Sequence, residues 1–336
     1  MPKNLRIQKV VVTGRATLPV TILLAALCWV ASGILLSKGI YAERAEGYPL
    51  WTGFDELALS EAINAAVCFV LYGLVGYLLV LLNNAYAIIR MRASAQTALF
   101  MLLIAVCPGV HQRLHVGVLV SLLFLVSLHF LFRSYQKQRP EGDLTHAFLF
   151  LGLGSLFYPQ LTWLAPVLWI GALMFQSLGP KSFVASIVGW AVPYWFLFVY
   201  AYFFGEMELF YAPFRELVNV RESTFSLRPE TLATLGYLLL LLAGSGIHYA
   251  RSGLDDGIRT RCYLQFFFLL SFCLLAYIAW QPMQGVLILP LLLVGVSFLA
   301  AHLFVLTESR ASNVFFTVIL VGMFALLGYN LWSLMG

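Results

Sequence analysis

Three groups of side chains in this 336-residue chain combine types and spacings that do chemistry. Asp55 and Glu56 are adjacent carboxylates just ahead of an apolar run. Such a pair can act as a general base or hold a divalent cation. It is equally the acidic first turn that complements a helix dipole. His111, Arg113 and His115 follow Pro108-Gly109. Histidines at i and i+4 share one helix face and can ligate a metal, although the H-E-x-x-H arrangement is absent. A guanidinium at Arg113 suits the phosphate of a lipid headgroup or a lipid-linked donor, and the same three residues suit plain anchoring at a membrane border. Tyr158, immediately before Pro159, completes the candidate set for substrate or lipid-phosphate binding.

Other residues carry weaker signals. His129, His146, His248 and His302 lie in or near apolar runs, His302 deepest; a neutral histidine bonded to a neighbouring helix is the ordinary reading, a functional one the alternative. Arg251, Asp255, Asp256, Arg259 and Arg261 crowd one short loop, where local ion pairing and partner docking both fit. Pro193 should bend its helix, and Tyr194, Trp195, Tyr200 and Tyr202 beyond it suit either sugar stacking or an interfacial aromatic belt. Cys28, Cys68, Cys107, Cys262 and Cys273 have no CxxC spacing and read as small apolar fillers.

The elements that must position these residues are membrane helices. Mean hydropathy is +0.89; hydrophobic residues make up 61% and charged residues 10% of the chain, against about 25% charged in soluble domains. No soluble core of this length hides so much apolar surface. The alternation of a barrel is missing. Eleven runs read as spans, near 17–37, 62–83, 96–107, 114–132, 145–158, 161–177, 182–204, 231–250, 262–280, 284–306 and 311–334, within one integral domain covering 1–336. The fold class is thus all-α, a polytopic bundle. Lys3, Arg6, Lys9 and Arg15 precede a first run too long for a signal-peptide core, which makes it an uncleaved anchor.

Every Lys, Arg, Asp and Glu lies between or at the edges of these runs. With the N-terminus inside, Arg90, Arg92, Arg133, Lys137, Arg139, Lys181, Arg251, Arg259, Arg261 and Arg310 join the four N-terminal cations on the inner side. Only Lys38, Arg44, Arg113, Arg215, Arg221 and Arg228 fall outside. This bias orients the chain N-in and C-out. The outer loops 38–61 and 205–230 mix acids with aromatics and read as amphipathic segments along the interface. Charge-coupled transport is disfavoured, since it places ionised groups at mid-span. A P-loop pump is excluded by the lack of GxxxxGK[ST], and nucleic-acid binding by the lack of a basic stripe with stacking aromatics.

Residues 143–204 stand out as the organising stretch. A short apolar helix ends at Tyr158-Pro159, and a long one follows after Gln160. Short helix, proline, long helix also occurs around Pro108. A helix of ten to twelve residues is too short for a bilayer, where about 20 are needed. Paired broken helices point to a binding cavity, here expected between Pro108 and Pro159 and open to the outer face.

The series Leu82-Asn83-Asn84, the short helix to Pro108, Arg133-Ser134-Tyr135, Gly152-Leu153-Gly154-Ser155-Leu156-Phe157-Tyr158-Pro159 and Val192-Pro193-Tyr194-Trp195-Phe196 resembles a family of polytopic inner-membrane proteins of Bacteroidota without assigned activity. That resemblance implies the inner membrane of a Gram-negative cell. The chain is also similar, more distantly, to membrane-embedded glycosyltransferases that use lipid-phosphate sugars, in which Asp55 or Glu56 would be the base. The expected role is a component of envelope biogenesis or export without its own catalysis. Transferase or polymerase action on lipid-linked sugars is the alternative and uncoupled transport the third. Partners are membrane lipids, a lipid-linked glycan or other envelope proteins. No cofactor is expected, except a divalent cation if the chain is an enzyme.

Overall fold

The computed structural model describes residues 8, 11–12, 14, 16–36, 50–51, 60–89, 94–218, 228–307 and 309–335. Their regular structure is entirely helical. The helices are α1 (Thr17–Leu36), α2 (Glu61–Tyr86), α3 (Ala95–Ala105), α4 (Pro108–His111), α5 (Val116–Arg133), α6 (Glu141–Phe157), α7 (Ala165–Met174), α8 (Pro180–Phe204), α9 (Met207–Val218), α10 (Pro229–Ser252), α11 (Ile258–Trp280), α12 (Gly285–Leu306) and α13 (Arg310–Met335). Eight of them (α1, α2, α5, α8, α10, α11, α12 and α13) are long and apolar enough to cross a membrane. The chain is a multi-pass membrane protein. The other three expected spans take different forms. The run at 96–107 is the eleven-residue α3, that at 145–158 lies in α6, and that at 161–177 is a 3₁₀ turn, Pro159–Leu164, leading into α7. The chain forms two compact units.

Unit one comprises α1–α4 and α10–α13. Its centre is α12, apolar on every side and 94% buried along its span. A helix without a polar face has no side to offer water and sits inside. Gly295 brings α11 against it: a Cβ there would lie 2.6 Å from Ser271 Oγ. Phe298 stacks on Phe267 at 4.7 Å nearby. The outer helices α1 and α13 leave Leu23, Val30, Ile34, Val314, Val318 and Val321 exposed, as lipid-facing residues are.

In hydrocarbon the hydrophobic effect does not press helices together, so packing and hydrogen bonds must. Thr97 of α3 donates to the Gly76 carbonyl of α2 at 2.9 Å. Tyr237 of α10 donates to Ile319 O of α13 at 2.8 Å. Gln8 donates to Phe304 O and Thr307 O, at 2.7 and 2.8 Å, at the end of α12. The Leu82-Asn83-Asn84 motif closes α2. Asn83 Oδ1 accepts the Ile89 N–H at 2.8 Å, and its carbonyl accepts that of the left-handed Ala87.

Unit two holds α5–α9. Its middle is α6, packed on α5 and on α8. Glycines set the spacing: a Cβ on Gly152 would stand 2.6 Å from the Trp190 carbonyl, and one on Gly189 would overlap the Thr145 carbonyl. At that approach hydroxyls can bridge. Ser127 donates to Ala147 O at 2.7 Å, Thr145 to Ala185 O at 3.3 Å, and Ser155 pairs with Tyr194 OH at 2.9 Å. At one end the nearly buried Asp143 carboxylate is held by Arg133 at 2.6 Å and Lys137 at 2.5 Å. Pro180 starts α8, where the Ser182 hydroxyl accepts the Gly179 N–H at 2.7 Å.

Helix α8 continues through Pro193 and ends at the left-handed Gly205. From there α9 follows, the amphipathic segment expected within 205–230. Phe210 meets Phe198 and Phe214 meets Tyr194, while Tyr211 and Val218 are exposed. Around the end of α8, Trp195, Phe196, Tyr202, Phe203 and Phe204 form an exposed aromatic collar.

Replacing Gly189 by leucine should force α6 and α8 apart and cost about 2–4 kcal/mol. The expected result is a lower thermal unfolding midpoint in detergent, with Gly142→Leu, where a Cβ meets nothing, much milder.

Candidate functional site

Asp55 and Glu56 lie outside the described residues. The histidine pair is described, and it does not form a shared helix face. Helix α4 ends at His111 and α5 begins at Val116, with His115 extended between them (φ −141°). A proline-started turn of four residues cannot carry the i, i+4 geometry through to His115. Instead, His115 Nδ1 accepts the Gly117 N–H at 3.1 Å and caps α5. His111 is fully buried and stacks on Trp29 at 3.9 Å. Its Nδ1 lies 3.2 Å from Gln112 Nε2, which also donates to Trp29 O at 3.0 Å. Burial pushes the His111 imidazole down to about 3, because the charged form would lose its water. Arg113 is half-buried in the intervening turn. Tyr158, in unit two, is buried and ends α6, its N–H donating to Gly154 O at 3.0 Å.

Pro108 does border a hollow, of about 50 Å³, whose wall includes Cys107, Arg228, Glu230, Thr234 and Asn330. The break in α3 produces it. Eleven residues rise about 16 Å, half of a hydrocarbon core, and Val106 and Cys107 then turn aside into Pro108. The freed Val106 carbonyl accepts from Asn330 Nδ2 of α13 at 2.8 Å. Asn330 also reaches Thr234 Oγ1 at 3.3 Å, and Ser333 donates to Glu230 at 3.1 Å. Asn330 Oδ1 is buried without a protein partner. This space suits a few ordered waters on the polar wall. Pro159 is buried in its 3₁₀ turn in unit two.

A larger hollow, about 440 Å³, lies along α10 and α11 between Leu239, Ala243, Gly246, Phe268 and Phe272. Its walls are apolar and fit an acyl chain.

Separate sequence signals converge at one further place. His302, the deepest histidine of the apolar runs, lies 3.1 Å through Nε2 from Asp256 Oδ2 of the charged loop. The His248 ring centroid is 5.5 Å from that of His302. Separation along the chain hides this grouping; the visible hint was a histidine near the ends of both α10 and α12 and two acids in the loop after α10. Among the described residues no three His, Cys, Asp or Glu side chains form a metal-holding group.

No family model, curated protein or solved structure matches the chain.

Replacing Asn330 by leucine should strand the Val106 carbonyl and cost about 1–3 kcal/mol, read as a lower unfolding midpoint. His111 makes stability pH-dependent. Its folded value lies below the unfolded one of 6.5, so its contribution is complete above that pH. It is then lost as pH falls toward about 3, by up to about 1.4 kcal/mol per pH unit. His111→Phe should flatten that slope in denaturation curves taken across the range.

Proposed function

We propose that this chain is a non-catalytic multi-pass component of a bacterial inner membrane, serving envelope biogenesis or export and inserted N-in and C-out. One observation carries the reading: polar side chains inside both units are used to hold helices together. Thr97, Tyr237, Gln8 and Asn330 in unit one, and Ser127 and Thr145 in unit two, each reach a neighbouring segment's carbonyl. The hollow at Pro108 is about 50 Å³, against roughly 300–1,000 Å³ for a typical small-molecule site. The loop charge bias supports the orientation. The exposed collar of α8 and the amphipathic α9 suit the outer interface, where headgroups and neighbouring proteins are met. Membership of the Bacteroidota family is part of the same proposal.

Crosslinking followed by purification from native membranes should recover a stoichiometric envelope protein. Reporter fusions should place the N-terminus inside and the C-terminus outside. Asp55→Ala with Glu56→Ala should leave cellular glycan and lipid profiles unchanged; their loss would favour the sugar transferase instead. Solute flux through liposomes holding the pure protein would favour the uncoupled transporter.

A further inference from the structure

Helices α10 and α11 both pack on α12 and leave a groove of about 440 Å³ between themselves. Its apolar wall is one stripe from each helix. Leu239, Ala243 and Gly246 follow at i, i+4 and i+7 on α10, and Phe268 and Phe272 at i and i+4 on α11. Leu239, Ala243 and Phe272 are exposed, so the groove opens sideways, where these spans meet lipid. Gly246 keeps the floor clear: a Cβ there would meet only Phe268, in ordinary contact at 3.9 Å.

One end of the groove is polar. Tyr249 and Gln265 line it and hydrogen-bond each other through their side chains. One turn before Gln265, on the same stripe of α11, stands Arg261, whose charge reaches Tyr249. Arg261 is half-buried, and its Nε is buried without a hydrogen-bond partner. The segment 251–261 carries Arg251, Arg259 and Arg261 against Asp255 and Asp256, so this end is net positive. Asp255 is exposed, and Asp256, whose charge also reaches Tyr249, is buried 3.1 Å from His302.

Length decides what fits. The ten steps from Leu239 to Tyr249 rise about 15 Å, half of a hydrocarbon core about 30 Å thick. Tyr249 lies three residues before the end of α10 at Ser252, and Leu239 ten after its start at Pro229. The groove thus runs from mid-span to the border, the depth of a single leaflet. A helix of another protein crossing the bilayer would run past both ends, whereas an acyl chain anchored at the border stops at mid-membrane. At that border a guanidinium with an unsatisfied Nε suits a phosphate, to which it can give two parallel hydrogen bonds. Basic pockets between transmembrane helices hold lipid headgroups in this way.

We propose that this groove is a site for one phospholipid. An acyl chain lies over Gly246 between the two stripes, and the phosphodiester accepts from Arg261. Tyr249 and Gln265 face the glycerol backbone between them. The net positive end favours an anionic headgroup. The site does not rest on the role proposed above.

Native mass spectrometry of the full chain tests it, with phosphatidylglycerol and, separately, diacylglycerol of the same acyl chains titrated into the detergent-purified protein. The first phosphatidylglycerol should bind about tenfold more tightly than diacylglycerol, the gain expected of a charge-assisted pair. Arg261→Gln should make the two lipids bind alike, with diacylglycerol bound as in the wild type. Gly246→Leu fills the groove and should weaken both lipids about tenfold. Ala243→Phe, at an exposed position of the same stripe, decides the matter if Gly246→Leu does not fold. Val318→Phe, on the exposed side of α13, should change neither. Equal wild-type binding of the two lipids, or undiminished binding in the filled groove, would overturn the site. So would a dimer that the groove substitutions dissociate and that retains no lipid, since the groove would then be a contact between two copies of the chain.

Discussion

A peptide N–H or C=O in hydrocarbon has no water to bond, and leaving it unpaired costs several kcal/mol. That constraint governs the described residues more visibly than any catalytic demand. Long helices meet it internally. Wherever a helix stops short or breaks, another group must finish the bonding. Asn330 does so for the carbonyl freed where α3 ends, Asn83 and the left-handed Ala87 for the end of α2, and His115 for the start of α5. These side chains look like chemistry in a list of polar residues, yet each has a backbone to satisfy.

The same constraint explains the two units. In unit one a helix with no polar face, α12, is wrapped by neighbours that keep their own lipid-facing sides. In unit two, Gly152 and Gly189 let α6 and α8 approach until the Thr145 hydroxyl reaches the Ala185 carbonyl, while Ser127 of α5 reaches the Ala147 carbonyl of α6. Small residues thus do in lipid what apolar burial does in water. The hollow at Pro108 is small and partly polar, and the groove along α10 and α11 is larger, mostly apolar and open at exposed Leu239 and Phe272.

Ionised groups obey a related rule: they are kept at the ends of the spans and paired when covered. Asp143 is held by Arg133 and Lys137. Asp256 lies 3.1 Å from His302 Nε2. Two nearly buried carboxylates thus have different neighbours, one an arginine and a lysine and the other an imidazole.

Much of the architecture was legible because hydropathy acts over whole segments. Eight apolar runs, the proline stops at Pro108 and Pro159 and the amphipathic α9 all follow from local composition and the missing proline N–H. The short runs were less so, since a hydropathy pattern does not distinguish a span from an interior half-helix such as α3 or a 3₁₀ turn such as Pro159–Leu164. The organising helix was also hidden. Residues 143–204 stood out by their breaks, but α12 is central to unit one because neighbours cover all of it, and covering is a property of the neighbours. His111 and His115 looked like a pair by spacing, until a four-residue turn took them off any common face. His248, Asp256 and His302 looked unrelated, until three segments folded side by side. By itself the sequence determined that lipid is the solvent, where helices run and where charge must stay, because these depend on a residue and its near neighbours. Tertiary structure alone decided which polar groups serve the backbone and which ionisable groups lie side by side, because that depends on distances between segments far apart in the chain.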